Sequence, residues 1–236
     1  LGALPSNDRP GDQYGILRCH APPASCLAVR FRAMRLFRSL SGNAGSNRLE
    51  GRRTFLRAPV ERDWAAYADL RAASRNFLEP WEPTWPPDAL SRDAFFRRLN
   101  RYTSDWRNDK GYSMFVFERE SAALLGGISV SNVRRGVAQT GTLGYWIGEA
   151  HAGQGYMREG LDLLLGFCFT DLGLHRVEAA CLPSNAASQR LLLASGFSED
   201  GFARKYLKIR GVWQDHLLFS LLAEDHQPTT LYRLDK

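Results

Sequence analysis

The sequence predicts an α+β fold, one mixed, mostly antiparallel central sheet with helices on both faces, and three observations predict it. The stretch Gly144 to Met157 reads as strand, glycine turn and helix. The elements around it follow the order β-α-α-β-β-β-α-β-α-β-β, in which strands and helices mix without strict alternation. With 236 residues and 44% apolar side chains the chain can bury a core, yet no apolar run approaches the ~20 residues that cross a bilayer.

Residues 1–50 carry Pro, Gly, Ser and Asn clusters and no sustained period, the pattern of a disordered basic extension. No acid stands between Asp12 and Glu50, a transit-peptide-like composition, while Arg30 and Arg32 interrupt the only apolar patch a secretory signal could use. The first methionine is Met34, and residues 1–33 are expected to lie upstream of the natural start. A folded domain is expected over 51–225 and a tail over 226–236. Thr54-Phe55-Leu56 forms a first strand closed by Pro59, and Glu61 to Leu78 a helix. The loop that follows holds Pro80, Pro83, Pro86 and Pro87, which stiffen it, and Trp81 and Trp85, which project from it.

Ser91 is placed to cap a helix running to about Asp105, whose Arg92, Arg97, Arg98, Arg101 and neighbouring Arg107 read as a solvated face. Ser113 to Glu118 and Leu124 to Val133 form an antiparallel pair in which Gly126-Gly127 invites a bulge. The central strand, Thr142 to Ile147, is rich in aromatic and β-branched residues. After the turn, apolar residues at Met157, Leu161, Leu164, Leu165, Cys168 and Leu172 mark one face of a helix. His175 to Leu182 is a strand ended by Pro183. Asn185 caps a short helix stopped by Gly196, and Phe197 to Ile209 pairs with Val212 to Leu222 around Gly211.

Charge narrows the partners. The formal net charge is +6, but residues 1–57 hold 10 arginines against Asp8, Asp12 and Glu50, whereas residues 58–236 hold 21 basic and 22 acidic side chains. The domain itself has no footprint for nucleic acid, and nothing marks it for a membrane. Cys168 and Cys181 read as small buried hydrophobes, and Cys19-His20 with Cys26 matches no zinc spacing, so no metal and a reducing, cytoplasmic setting are expected.

Gly153-Gln154-Gly155 turns the backbone tightly where a helix begins, and unpaired first-turn amides suit an anion such as a diphosphate. A dinucleotide fingerprint would place a third glycine where Arg158 stands, and no P-loop lysine is present. The plainer reading is an ordinary glycine-rich connection.

Tyr145-Trp146-Ile147, Gly153-Gln154-Gly155-Tyr156-Met157, and Pro183-Ser184-Asn185 with Ser188, Gly196 and Phe197 together resemble the GNAT acetyltransferase superfamily. The resemblance spans Leu56 to Leu222 and is nearest to the ribosomal-protein-alanine N-acetyltransferases of RimJ/RimL type. It implies the acyl-CoA N-acyltransferase fold, acetyl-CoA as co-substrate, and a protein N-terminal amine as acceptor, alanine of a ribosomal protein in particular. The alternative acceptor is a small amine such as an amino acid, polyamine or antibiotic. Readings from other classes are a non-catalytic acyl-CoA sensor and ribosome binding through the arginine-rich front end.

The same resemblance implies a site. Backbone of Trp146, Ile147 and Gly148 would carry the pantetheine arm, Ala152 to Met157 (Gly153, Gln154, Gly155 and Tyr156 between them) the diphosphate, and Asn185 and Ser188 would complete the cofactor contacts. Trp81, Trp85 and Tyr145 would wall the acceptor. Ala152 stands where the superfamily usually has Arg or Gln, and Met157 where it usually has a small residue. Glu178 is the first candidate base, although relatives carry theirs two residues later, where Ala180 stands; the bland reading is a glutamate paired with Arg176. Asp215, Glu149 and His216 are the other candidates. The superfamily's acidic tyrosine falls on Leu192, which cannot donate a proton, so Ser188 is expected in its place.

Gly155→Val tests the turn. The branched side chain resists positive φ and enters the space where backbone meets the ligand. A large rise in acetyl-CoA KM with a modest fall in Tm is expected; normal cofactor binding, or an unfolded variant, would make the turn purely structural.

Overall fold

A computed structural model describes residues 48–227 together with the backbone of Arg233 and Leu234. The expectations for residues 1–47, including the start at Met34, lie outside the described residues. The strands are β1 (Leu49–Glu50), β2 (Thr54–Arg57), β3 (Tyr112–Glu118), β4 (Leu124–Arg134), β5 (Thr140–Ile147), β6 (Arg176–Cys181), β7 (Ser198–Ile209), β8 (Val212–Leu222) and β9 (Arg233–Leu234). The α-helices are α1 (Trp64–Ala73), α2 (Arg75–Leu78), α3 (Arg92–Arg107), α4 (Tyr156–Gly166) and α5 (Ala186–Ala194). One sheet runs β7-β8-β6-β5-β4-β3-β2-β1-β9. Every neighbouring pair is antiparallel except β5 with β6.

Alternation along the strands divides the core. On β3, Met114 and Val116 join the cluster under α4, with Leu161, Leu164 and Val177, while Phe115 and Phe117 point to the opposite face, where Tyr67 of α1 and Phe95 of α3 cover them. Ser91 caps α3 by accepting from the Ala94 amide at 3.1 Å, and Asn185 caps α5 by accepting from the Ser188 amide at 3.0 Å.

Four elements differ from expectation, each for a local reason. The helix expected over Glu61–Leu78 breaks at Ser74, which is buried because its hydroxyl accepts from the Glu149 amide at 2.9 Å. The periodicity of α4 continues to Leu172, but Phe167–Asp171 winds as a π-helical turn. The bulge falls at Leu125 rather than within the glycine pair. At the two ends of the domain, Leu49–Glu50 pairs with both β2 and Arg233–Leu234, which forms the edge, so segments assigned to the extension and the tail belong to the sheet.

One departure creates the site. β5 and β6 pair at Thr140 with Arg176, Gly141 with Val177 and Thr142 with Glu178, and no further. Beyond that fork β5 follows β4 to Ile147, while β6 follows β8 to Cys181. A backbone edge from Leu143 to Ile147 is left facing a gap. Among the described residues no helix is long and apolar enough to cross a membrane.

Candidate active site

The glycine turn lies at the open end of the fork. Gly153 and Gly155 have φ of +73° and +84°, a region side chains disfavour, and a Cβ on Gly153 would meet no atom within 4 Å. That surface is open to a ligand. Behind it, Glu159 of the first turn of α4 accepts from the amides of Arg53 and Thr54 at 2.7 and 3.0 Å. Arg53 in turn donates to the Gln154 carbonyl at 3.1 Å and lies 4.8 Å from the Tyr156 ring centre. The carboxylate also complements the positive helix end. Gln154 braces the turn by donating to the Ala150 carbonyl at 2.7 Å, and Tyr156 donates to Glu118 at 2.8 Å, so both side chains turn away from the cleft and leave only backbone to it.

A cleft of about 420 Å³ fills the fork. Tyr145, Trp146 and Ile147 form one wall and Asn185 and Ser188 of α5 the other, with Met157, Ala152, Gly153 and Gly155 at one end and Trp81 across the opening. Arg158, Arg190 and His151 also line it, cationic or ionisable groups that the sequence reading did not assign. The Gly148 amide donates to the Leu125 carbonyl at 2.9 Å, so strand alternation turns the backbone of Tyr145 and Ile147, not Gly148 and Trp146, toward the gap. This corrects the expected arm contacts. Gly148 has a steric role, because a Cβ there would lie 2.4 Å from Leu70 Cδ1.

A second cleft, of about 600 Å³, opens on the opposite face of β4 and β5. Glu82, Tyr145 and Trp146 line both clefts and so mark where they meet. The glycine pair of β4 makes room for this junction: a Cβ on Gly127 would stand 2.4 Å from Trp146 Nε1, and one on Gly126 2.3 Å from the Trp146 carbonyl. The indole lies over Gly127, edge-on to Tyr67 and Phe115 at 5.9 and 6.4 Å.

The proline-stiffened loop is tied down by one buried cation. Arg71 of α1 donates to Glu82 Oε1 at 3.1 Å and also pairs with Oε2, which accepts from Trp85 Nε1 at 2.7 Å. The same guanidinium stacks 4.2 Å from the Trp85 ring centre and 4.9 Å from that of Trp146. The Arg210 amide, at the β7–β8 turn, donates to the Glu82 carbonyl at 3.1 Å. Among the described residues Glu82 is the only carboxylate lining either cleft. Its placement between Trp81 and Pro83 was the available signal; Arg71, inside a helix pattern, offered none.

Ser188 lines the cleft in the fork, and with a partner. Its Oγ is 2.7 Å from the Tyr145 hydroxyl, and burial pushes the Tyr145 pKa up to about 12. A tyrosine kept protonated can donate to Ser188 and leave the serine proton to face the cleft.

The expected bases lie elsewhere. Glu178 lines neither cleft; Arg176 and Arg134 donate to it at 3.1 and 3.3 Å, which ties β4 to β6 across the closed end of the fork. Asp215 accepts from the Lys205 amide at 2.8 Å and lines a third cleft, beyond Trp81. His216 is buried, with Nδ1 3.0 Å from the Gln214 carbonyl, and the Glu149 side chain lines neither of the two joined clefts.

This arrangement of a forked sheet with a glycine turn at its open end has a family. Residues 53–198 match the model described as the acetyltransferase (GNAT) domain. The chain belongs to the GNAT acetyltransferases. It is 32% identical over 179 residues to the probable N-acetyltransferase YjcK of Bacillus subtilis, covering 76% of this chain and 99% of that relative. It is also 32% identical over 186 residues to the [ribosomal protein uS5]-alanine N-acetyltransferase of Escherichia coli, covering 79% and 96%. Among solved structures, Mycobacterium smegmatis RimJ in complex with CoA-disulfide superposes with a TM-score of 0.73 at 28% identity, over 79% of this chain and 91% of that one. The fold is therefore the GNAT fold, and the chain is an acetyltransferase of that family.

Glu178→Ala separates a clamp from a base. Exposed ion pairs contribute about 0.2–1 kcal/mol each, so a GNAT domain of this size should lose roughly 1–4 °C of Tm. Acetyl-transfer kcat should stay within about threefold of the parent, less than 1 kcal/mol of barrier. A hundredfold loss of kcat at unchanged Tm would return Glu178 to the chemistry.

Proposed function

We propose that this acetyltransferase uses acetyl-CoA to acetylate the N-terminal α-amine of a protein, with alanine as the first residue and a ribosomal protein as the acceptor. The observation that carries the reading is the meeting of two clefts at Tyr145, Trp146 and Glu82, one built for a long anionic ligand and the other broad enough for the end of a polypeptide. The names of the Escherichia coli relative and the Mycobacterium smegmatis neighbour support it.

The residues present fit acetyl-CoA. The glycine turn, the amides opening α4 and the side chains of Arg158, Arg190 and His151 suit its phosphates, and the open edge at Tyr145 and Ile147 suits an amide-bearing arm. When bound, acetyl-CoA supplies the acetyl group as a thioester. The chain supplies position and protons. The Ser188 hydroxyl donates toward the departing sulfur, and Tyr145 replenishes the donated hydrogen bond. Glu82 orients the incoming amine at the junction.

Basicity favours an α-amine over a lysine or polyamine. Glu82 is engaged by Arg71 and Trp85, so it is poorly free to strip a strongly basic ammonium. An N-terminal amine, with a pKa of about 7.7–8.0, is substantially neutral in weakly alkaline solution, whereas a lysine at about 10.4 is not.

Two measurements test this. With acetyl-CoA and matched peptides, turnover should require a free N-terminus and be absent from blocked peptides carrying an internal lysine; activity confined to the blocked lysine peptide, or to small amines, would overturn the reading. Ser188→Ala should lower kcat at saturating acetyl-CoA roughly 10- to 100-fold, about 1.4–2.7 kcal/mol of barrier. Leu192→Ala, by contrast, removes a fully packed side chain and should cost about 2–5 kcal/mol of stability. An unchanged kcat in folded Ser188→Ala would remove the serine from the mechanism.

A further inference from the structure

Two guanidinium groups in the second cleft have no carboxylate to answer them. Of the arginines on α3, Arg97 pairs with Asp88 and Arg92 stacks 5.1 Å from the Phe96 ring centre. Arg98 and Arg101 instead line the cleft, Arg101 still exposed as expected and Arg98 half-buried, in place of the solvated face expected of it. Arg98 lies half-buried 5.4 Å from the Tyr67 ring centre, and Arg101 lies 5.9 Å from that of Tyr102. Among the described residues neither forms an ion pair with a carboxylate; Arg98 interacts instead with the Tyr102 hydroxyl and feels the Glu82 carboxylate only through space.

The charge count of the cleft is lopsided. Arg71, Arg98 and Arg101 face Glu82 alone, and Glu82 is already committed to Arg71 and Trp85. Two positive charges therefore stand over an aromatic floor that gives them cation–π contact, with no ion pair and only the already engaged Glu82 to offset them through space. A partly desolvated guanidinium gains most from a ligand that brings a carboxylate, because its fork geometry matches one and the two screen each other from the cost of burial. Aliphatic or cationic ligands would leave that gain unrealised, and a basic peptide would be repelled.

The position of the pair along the cleft says which part of an acceptor meets it. The amine must reach the junction at Glu82 and Trp146, and the cleft leads from there past Tyr67 to α3. A space of about 600 Å³ holds a ligand of drug size, about three or four amino-acid residues, and an extended chain advances about 3.3–3.6 Å per residue. Building on the N-terminal reading, we infer that the preferred acceptor carries an acidic side chain at one of the second to fourth positions, and that Arg98 and Arg101 receive it. Glu82 then meets the amine end of the peptide and this pair its carboxylate. The two together fix the direction in which the chain enters.

Short peptides beginning with alanine test this, with the C-terminus amidated so that the varied side chain is the only carboxylate. Each carries Glu or the isosteric Gln at position two, three or four, and kcat/KM is measured for the parent enzyme, Arg98→Gln and Arg101→Gln. The parent should favour Glu over Gln at least tenfold at one position, equivalent to about 1.4 kcal/mol. That ratio should shrink as salt is raised from about 50 to 500 mM, which shortens the screening length, and should fall to about threefold or less in either variant. Because Arg101 is exposed, its variant keeps the test available should Arg98→Gln fold poorly. Equal turnover of Glu and Gln peptides by the parent, or a preference that survives both substitutions, overturns the acidic subsite and leaves N-terminal acetylation standing. Failure to acetylate any of the peptides overturns the N-terminal reading itself, and the subsite with it.

Discussion

The brevity of the pairing between β5 and β6 governs this protein. Three residue pairs hold the strands together, and then each strand keeps only its outer neighbour. A continuous sheet would satisfy every backbone group and leave nothing to bind with. By ending the ladder at Thr142, the fold exposes one row of amides and carbonyls inside its own sheet. It also brings the start of α4 and the cap of α5 to the rim of the gap. The Glu178 carboxylate between Arg134 and Arg176 pins the closed end of the fork, while Tyr145 and Ser188 bridge its open end.

The acceptor side depends on an equally local device. Prolines restrict the loop between α2 and α3 without telling its first half where to lie. Arg71 supplies the address. Its guanidinium gathers Glu82, Trp85 and Trp146 around one point, and the β7–β8 turn closes on the loop backbone through Arg210. Because Arg71 is consumed in this way, the loop is neutral at its anchor, and the uncompensated charge of the cleft sits further out, on α3.

Much of this was legible in the sequence, and the exceptions share a cause. Strand and helix order, the caps at Ser91 and Asn185 and the glycine turn follow from signals within about ten residues of one another. The family-specific motif was legible for the same reason: Gly153 to Met157 is a continuous segment that lies at one end of the cleft in the fork. The helix break at Ser74 was invisible because its reason, the Glu149 amide, lies 75 residues away. Glu82 and Arg71, from two different elements, are joined only in three dimensions. Glu178 shows the converse: a strand position and a plausible residue type cannot say that two arginines, one of them on β4, will occupy the carboxylate. Arg98 and Arg101 looked like solvent-facing charge because periodicity gives the side of a helix but not what lies opposite it.

The indole of Trp146, laid on Gly127, is a single partition between two chambers. One ring face and its edges belong to the core around Tyr67 and Phe115, and the residue lines the cofactor cleft and the acceptor cleft alike. A partition held at that density cannot yield to one side without pressing on the other. Any coupling between the occupancies of the two chambers across this ring is reciprocal. Whatever factor the first ligand imposes on the affinity of the second, the second imposes on the first. Two bare glycines on a neighbouring strand make room for that reciprocity.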